Sequence, residues 1–179
     1  PLILERIAEN ITVSFCPNSP SSPESIVFFP EYYEWLDEIS PAHIFSRSIH
    51  GEGFRMRRSF ENGILDYRKY DSCLENALTV ESPESLCKIA LNRLRWPSRL
   101  EDIFREKYEN VIKKYMGTAF TLAVKDQDFP MLQFICEHFS PDASALASAI
   151  DQCIEKEWGE GNAFLIEAKH KSFSKKTFD

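Results

Sequence analysis

The 179-residue sequence predicts an all-α protein of stacked antiparallel helical hairpins, preceded by an irregular, mostly helical N-terminal part. Three observations support this prediction: a short apolar segment, a polar turn and a second apolar segment within residues 118–139; similar segment pairs on either side; and an amphipathic stripe over residues 99–115. Isolated helices below about 12–15 residues are marginal in water. Such hairpins must therefore bury their apolar faces against neighbouring hairpins.

The predicted central hairpin consists of residues 118–124, a polar turn at 125–128 and residues 129–139. This segment resembles an ankyrin repeat, whose first helix carries a Thr-Pro-Leu-His-x-Ala signature. The residues at the Thr, Leu, His and Ala positions are Thr118, Phe120, Thr121 and Ala123. Ala119 replaces the proline, and Gln127 and Phe139 stand where the family usually places turn glycines. The resemblance implies an ankyrin-like solenoid that binds another protein, without promising the family's β-hairpin fingers.

A comparison of the chain with itself extends this hairpin into a helical-repeat region over residues 71–168. A shift of 26 residues places Leu146 on Phe120 and Ala149 on Ala123. The other predicted helix pairs are residues 144–150 with 163–168 after a longer connector, and residues 73–80 with 86–91. The alternative is an ordinary irregular helical domain without repeats.

Capping residues predict where two longer helices begin. Ser82 followed by Pro83 is typical of a helix start and predicts a helix over residues 86–94. Ser98 and Glu101 have the spacing of a capping box, which predicts a helix over residues 99–115. The basic tail at residues 169–179 is expected to fray.

Residues 1–70 are predicted to be irregular and mostly helical, with a helix at 2–11 and a proline- and serine-rich loop at 17–25. Tyr32, Trp35, Leu36 and Ile39 share one face of a predicted helix. Ser40 and Pro41 then favour the start of another helix, which ends at residues 51–53.

Charge and cysteine usage restrict the possible functions. The net charge of −7 argues against broad nucleic-acid binding. The sequence shows no secretory signal and no apolar run that approaches a membrane span. Five scattered cysteines, without paired metal-ligand spacing, predict reduced thiols in a cytoplasmic protein with neither metal nor cofactor. The sequence does not indicate an oligomeric state.

Two groups of residues are candidates for binding a partner. The positively charged candidates are Arg47, Arg55, Arg57 and Arg58, in a segment (residues 41–70) with six basic and three acidic residues. The aromatic candidates are Tyr32, Tyr33 and Trp35. Arginine and aromatic residues are over-represented at binding hot spots. The alternatives are that the arginines neutralise acidic neighbours at residues 31–38 and that the aromatics belong to the core.

The sequence therefore predicts a non-catalytic protein–protein interaction module. The first alternative is a domain that binds nucleic acid or a phosphate ligand through the arginines between residues 47 and 58. The second is a cryptic enzyme, in which Cys87 or Cys16 pairs with His50. No phosphate-binding glycine loop or zinc-protease motif is present in the sequence.

Overall fold

The computed structural model describes residues 3–16, 23–38 and 45–176. The chain forms two compact units, unit 1 (Pro1–Lys107) and unit 2 (Tyr108–Asp179). The sequence analysis ends the first region at residue 70, whereas unit 1 also includes the helices that follow. The reason is that a helix predicted to belong to the repeats packs on a strand of the N-terminal part.

Unit 1 contains strands where the sequence analysis predicts helices. A short 3-10 helix, Ile3–Arg6, is followed by three antiparallel strand pairs among the described residues. The strands are β1 (Ile11–Phe15), β2 (Ser25–Phe29), β3 (Tyr33–Glu38), β4 (Phe45–His50), β5 (Phe60–Glu61) and β6 (Ile64–Leu65). The prediction of an all-α chain with a mostly helical N-terminal region is therefore wrong for this part, although the described chain is mostly helical.

The pairing of β3 with β4 replaces the helix predicted around residues 32–39. Tyr33 lies opposite His50, and Trp35 lies opposite Ser48. Aromatic residues favour strands, and periodicity alone cannot distinguish a strand from a helix in so short an apolar run. The helix start predicted at Ser40 lies outside the described residues.

The helices of unit 1 follow the strands. They are α1 (Gly53–Arg57), α2 (Tyr67–Ser72), α3 (Leu74–Val80), α4 (Pro83–Arg95) and α5 (Asp102–Lys114), which crosses into unit 2. The predicted start of α4 is confirmed, because the Ser82 hydroxyl accepts a hydrogen bond from the Ser85 amide at 3.1 Å. The start of α5 was predicted too early, since Arg99 has a left-handed backbone (φ 51°) that a helix does not continue through. The Ser98 hydroxyl instead donates to Glu24.

The core of unit 1 lies between α4 and β2. Leu86, Ile89 and Ala90 of α4 are buried, as are Val27 and Phe29 of β2. A buried ion pair anchors the other side of α4. The guanidinium of Arg93 donates to both carboxylate oxygens of Asp71, at 2.8 and 2.9 Å. These contacts join α2 and α4 into one unit with the sheet.

Unit 2 consists of two helical hairpins packed side by side. The helices are α6 (Met116–Lys125), α7 (Phe129–Phe139), α8 (Ala143–Glu155) and α9 (Gly159–Lys176). The first helices pack together, as do the second helices, where the rings of Phe129 and Phe164 lie 5.3 Å apart. Asp128 and Asp142 cap α7 and α8, because their side chains accept hydrogen bonds from the backbone amides of Met131 and Ala145, both at 2.8 Å. The predicted positions of these four helices are confirmed.

The structure extends α9 beyond the helix predicted at residues 163–168. The backbone is helical through Lys176, and the fraying expected for the segment from residue 169 stays a prediction. An ion pair between Lys171 and Glu167, at 2.7 Å and one helical turn apart, favours this continuation. The longer connector predicted before the last helix is wrong, since only residues 156–158 separate α9 from α8.

Both hairpins turn through the same backbone conformation. Gln127 and Glu157 have left-handed backbones, with φ of 48° and 54°. In each turn the next amide bonds the carbonyl five residues earlier, Asp128 to Ala123 and Trp158 to Cys153, both at 2.9 Å. These bonds satisfy carbonyls that a helix end leaves unpaired. The two turns lie 30 residues apart, at Gln127 and Glu157. The 26-residue shift used in the sequence analysis therefore aligns apolar residues of the helices but does not align the turns.

We expect Gln127→Gly and Glu157→Gly each to stabilise unit 2 by about 0.5–1 kcal/mol. A left-handed backbone costs a residue with a side chain about 1–2 kcal/mol, and glycine avoids this cost but loses more entropy on folding. Ser148→Gly, at an exposed position of α8, is the control and should destabilise unit 2 by about 0.5 kcal/mol. The free energies of unfolding come from urea titrations, and destabilisation by both turn variants would contradict the analysis.

Candidate functional site

The buried guanidinium of Arg57 organises the centre of unit 1. Its Nη1 donates to the carbonyls of Pro30 at 2.6 Å and Gly53 at 2.8 Å, and its Nη2 donates to the carbonyl of Glu9 at 2.6 Å. The same group lies 5.1 Å from the ring centroid of Tyr32. Burial lowers the pKa of Arg57 from its ordinary value. The side chain thus connects the segment before β1, the segment before β3 and α1.

Two glycines allow the chain to approach this arginine closely. A Cβ at Gly53 would lie 1.9 Å from the Pro30 carbonyl oxygen, and one at Gly51 would lie 2.7 Å from the Glu31 carbonyl oxygen. Gly51 also has a φ of 89°, which residues with a side chain rarely adopt. The sequence analysis interprets residues 51–53 only as the end of a helix. In the structure they are where β4 joins α1 and packs on the segment before β3.

Glu52, between these glycines, is a buried carboxyl group that contacts less buried polar side chains. Its Oε2 accepts a hydrogen bond from the Asn76 side chain, and its Oε1 lies 3.3 Å from Nη1 of Arg55. Its backbone amide donates to Oε1 of Glu81 at 2.6 Å. Burial, and then the nearby Glu52, raise the pKa of Glu81 despite that hydrogen bond. Burial and Glu52 also raise the pKa of the Cys73 thiol, to about 11.

A cleft of about 590 Å³ opens beside this group. The rings of Tyr33 and His50 are stacked at one side of it, with centroids 5.2 Å apart and planes 12° apart. Phe54 contributes a further aromatic ring. The remaining lining residues are Ile49, Gly51, Glu52, Arg55, Asn76 and Val80. The cleft therefore combines aromatic and apolar side chains with a buried carboxyl group.

The antiparallel pair of β3 and β4, which we call the β3–β4 ribbon, exposes large apolar side chains. Tyr33 is 59% exposed, Trp35 55%, Leu36 66% and Ile49 38%. Tyr33 and Trp35 are two residues apart in β3 and share one face of the ribbon, whereas Leu36 points to the other face. Apolar side chains are thus exposed on both faces.

The structure separates the candidate arginines. Arg57 is fully buried and bonds backbone carbonyls, so it belongs to the core. Arg55 is exposed and pairs with Glu52, and Arg58 is exposed and lies over the Phe54 ring. The side chain of Arg47 lies outside the described residues; its backbone pairs with Leu36 in the ribbon. The expectation that all four form one binding patch is corrected for Arg57, whose partners lie far away in the sequence.

The aromatic candidates also separate. Tyr32 is buried against Phe54 and Arg57, which corrects its assignment to a binding surface. Tyr33 and Trp35 lie on the ribbon, and their role in binding stays a prediction. The sequence analysis missed Glu52, Asn76 and Glu81, because the fold brings α3 and its C-cap, which carry Asn76 and Glu81, against Glu52 from a separate segment. The glycines that flank Glu52 are the one local signal that could have marked it.

The other chemistry considered from the sequence lacks support in the described structure. Burial raises the pKa of the Cys87 thiol to about 12, so it remains protonated and a poor nucleophile near neutral pH. The described residues contain no group of three or more histidine, cysteine or acidic side chains suited to a metal ion. A second cleft, of about 380 Å³, contains Arg68 and Glu101, which pair with each other at 3.6 Å.

Comparisons with known proteins do not assign the chain to a family. No protein-family model matches it, and no curated protein or solved structure is significantly similar to it. Among the described residues, no helix has the length and apolar character needed to cross a membrane.

Arg57→Ala should destabilise the protein by about 3–5 kcal/mol, because it removes the side-chain donor from the buried carbonyls of Pro30 and Gly53 and from the part-buried carbonyl of Glu9, and creates a cavity. Arg58→Ala, the exposed neighbour, should cost less than about 1 kcal/mol. The two free energies of unfolding, measured by chemical denaturation, distinguish a structural arginine from a surface one. Equal losses would contradict the assignment.

Glu81→Gln tests the electrostatics of the Glu81 carboxyl group beside the buried Glu52. The folded state raises the pKa of Glu81, so its contribution to stability is fully present below the ordinary pKa of about 4.3 and is lost as pH rises through the folded-state pKa. Glutamine keeps the oxygen that accepts from the Glu52 amide. We therefore expect Glu81→Gln to gain stability relative to the wild type between pH 4.5 and 7.

Urea denaturation at the two pH values measures this gain, with the exposed Glu106→Gln as the control for loss of one carboxyl group. A Glu81→Gln variant that loses stability relative to the wild type as pH rises would show that the sign is wrong.

Proposed function

We propose that this protein is a non-catalytic protein–protein interaction module whose β3–β4 ribbon carries the main anchoring side chains. The observation that carries the proposal is the exposure of Tyr33, Trp35, Leu36 and Ile49 on one pair of strands. Tryptophan and tyrosine are enriched among the residues that dominate binding energy. A grouped set of exposed apolar side chains is typical of an interaction surface, whereas single exposed ones are common everywhere.

The support for the ribbon supplies the rigidity that such a surface needs. Two-stranded sheets are marginally stable by themselves. Here the base of the ribbon is connected to the buried Arg57 through Tyr32, and to the buried Glu52 through Gly51. A surface that is held in place before binding loses less conformational entropy when a partner binds. The ribbon therefore combines exposed anchors with a buried base.

The helical hairpins of unit 2 favour the same class of function. Packing of α6 on α8 and of α7 on α9 resembles the arrangement expected for ankyrin-like repeats. Proteins built from such hairpins use extended rigid surfaces to bind other proteins. We propose an ankyrin-like role for unit 2 as a second contact surface. We also propose a cytoplasmic location, which the five cysteines support, because all of them lie in the described residues and form no disulfide there.

The observations favour this function over the two alternatives from the sequence. Binding of nucleic acid through residues 47–58 would need all of their arginines at the surface, but Arg57 is buried and bonds backbone carbonyls. The net charge of −7 also opposes association with a polyanion. A cysteine nucleophile at Cys87 would need a thiolate, and burial favours the thiol.

Affinity capture with the purified protein tests the proposal. We expect the double variant Trp35→Ala/Leu36→Ala to weaken binding of a captured protein at least about 30-fold, because truncating a hot-spot residue costs about 2 kcal/mol or more. Ile64→Ala, an exposed apolar residue outside the ribbon, should bind normally. Thermal unfolding verifies that both variants are folded. Equal capture by all three proteins would exclude the ribbon as the anchoring surface.

A further inference from the structure

The cleft at the base of the β3–β4 ribbon has the chemistry of a site for a cationic group. Its aromatic side is formed by the stacked Tyr33 and His50 rings together with Phe54. Aromatic faces attract guanidinium and ammonium groups through the quadrupole of the ring. Glu52 lines the same cleft and supplies a carboxyl group. Aromatic rings around a carboxylate are a combination that suits a positive charge.

The Glu52 carboxyl group is only partly satisfied within the protein. The residue is 1% exposed, and while its Oε2 accepts from Asn76, its Oε1 has no hydrogen-bond donor among the described residues. Buried carboxylate oxygens are costly to leave without a donor. The nearest cation is Nη1 of Arg55, at 3.3 Å from Oε1. A better-aligned donor would therefore stabilise this oxygen.

Arg55 is poorly held in this position. Its side chain is 64% exposed, and its ion pair spans less than one turn of helix, from residue 52 to residue 55. The Arg55 guanidinium is already largely in water, so its own movement into solvent costs little. Its departure leaves Oε1 of Glu52 without a cation, and an incoming cation would remove that cost. Arg55 acts as an internal stand-in for an external cation.

The charges around the cleft are unbalanced in favour of a cation. Glu52 and Glu81 are adjacent, because the Glu52 amide donates to the Glu81 carboxyl group. Glu31 and Arg57 also act on Glu81, with opposite signs, and Arg57 already bonds three carbonyls. When Arg55 leaves, the cleft keeps a buried carboxyl group without a cation of its own.

We propose that this cleft binds the guanidinium or ammonium group of an arginine or lysine from a partner polypeptide, which displaces Arg55 from Glu52. This inference rests on the proposed interaction function, since the cleft opens beside the ribbon and shares Tyr33 and Ile49 with it. The ribbon supplies apolar anchors, and the cleft selects partners with a positive charge next to their apolar contact. A charge-assisted hydrogen bond to Glu52 supplies the selectivity.

The test uses two capped tripeptides, acetyl-Gly-Arg-Gly-amide and its citrulline counterpart, which has nearly the same shape but no charge. Their affinities are measured by NMR shifts of the Tyr33 and His50 rings. We expect the arginine peptide to bind at least about tenfold more tightly, since a hydrogen bond to a charged group is worth about 1.5–3 kcal/mol. Equal affinities of the two peptides would overturn the proposal.

Variants at two exposed residues, Arg55 and Tyr33, test the site without disturbing the core. Arg55→Ala removes the internal competitor and should strengthen binding of the arginine peptide at least about threefold. Tyr33→Ala removes an aromatic wall and should weaken it about two- to fivefold. Arg68→Ala, an exposed arginine of the second cleft, is the control and should change nothing. Unchanged or weaker binding by Arg55→Ala would overturn the displacement of Arg55.

A third ligand separates a polypeptide partner from a small molecule. N-Propylguanidine carries the same guanidinium on the same three-carbon chain, with no other charge and no peptide backbone. It should bind no more tightly than the arginine peptide, and tighter binding would overturn the assignment to a polypeptide. If Trp35→Ala/Leu36→Ala loses the captured protein while the wild type fails to bind the arginine peptide, the cleft inference fails and the interaction function stands. If the arginine peptide binds but the double variant captures normally, the ribbon proposal fails instead.

Discussion

The guanidinium of Arg57 is the contact on which the rest of unit 1 depends. It is fully buried and donates to carbonyls from three segments, at Glu9, Pro30 and Gly53. The bonds to Pro30 and Gly53 are buried as well, and buried polar groups without partners are costly. The absence of a side chain at Gly53 is part of the same arrangement, since a Cβ there would collide with the Pro30 carbonyl. The base of the β3–β4 ribbon is thereby held in one position.

That buried base explains how apolar side chains can remain exposed on the ribbon. Trp35 and Leu36 are more than half exposed, so a partner that covered them would remove apolar surface from water. The cleft beside the ribbon has a different character, because Glu52 keeps one carboxyl oxygen without a hydrogen-bond donor among the described residues. In the function that we propose, apolar anchors and a site for a charge lie next to each other, an arrangement that combines affinity with specificity.

Much of the helical structure follows from local signals that a single sequence displays. The hairpin at residues 118–139 was predicted because two apolar segments flank a polar turn. In the structure, Asp128 of that turn caps the second helix. Ser82 marks the start of α4 for the same reason. The strands could not be predicted in this way. Trp35 and Leu36 fit a helical face as well as a strand, and their cross-strand partners come from a segment beyond residue 44.

The sequence by itself determined the four helices of unit 2 and the start of α4, because those depend on residues within one or two turns of each other. It also predicted that the side chains which bind a partner are arginines and aromatics between residues 32 and 58. Only the tertiary structure decided which of them remain available. Arg57 and Arg58 are adjacent in the chain, yet one is buried by carbonyls 27 and 48 residues away and the other faces solvent. Burial is set by such distant contacts, and neighbouring letters in a sequence carry no information about them.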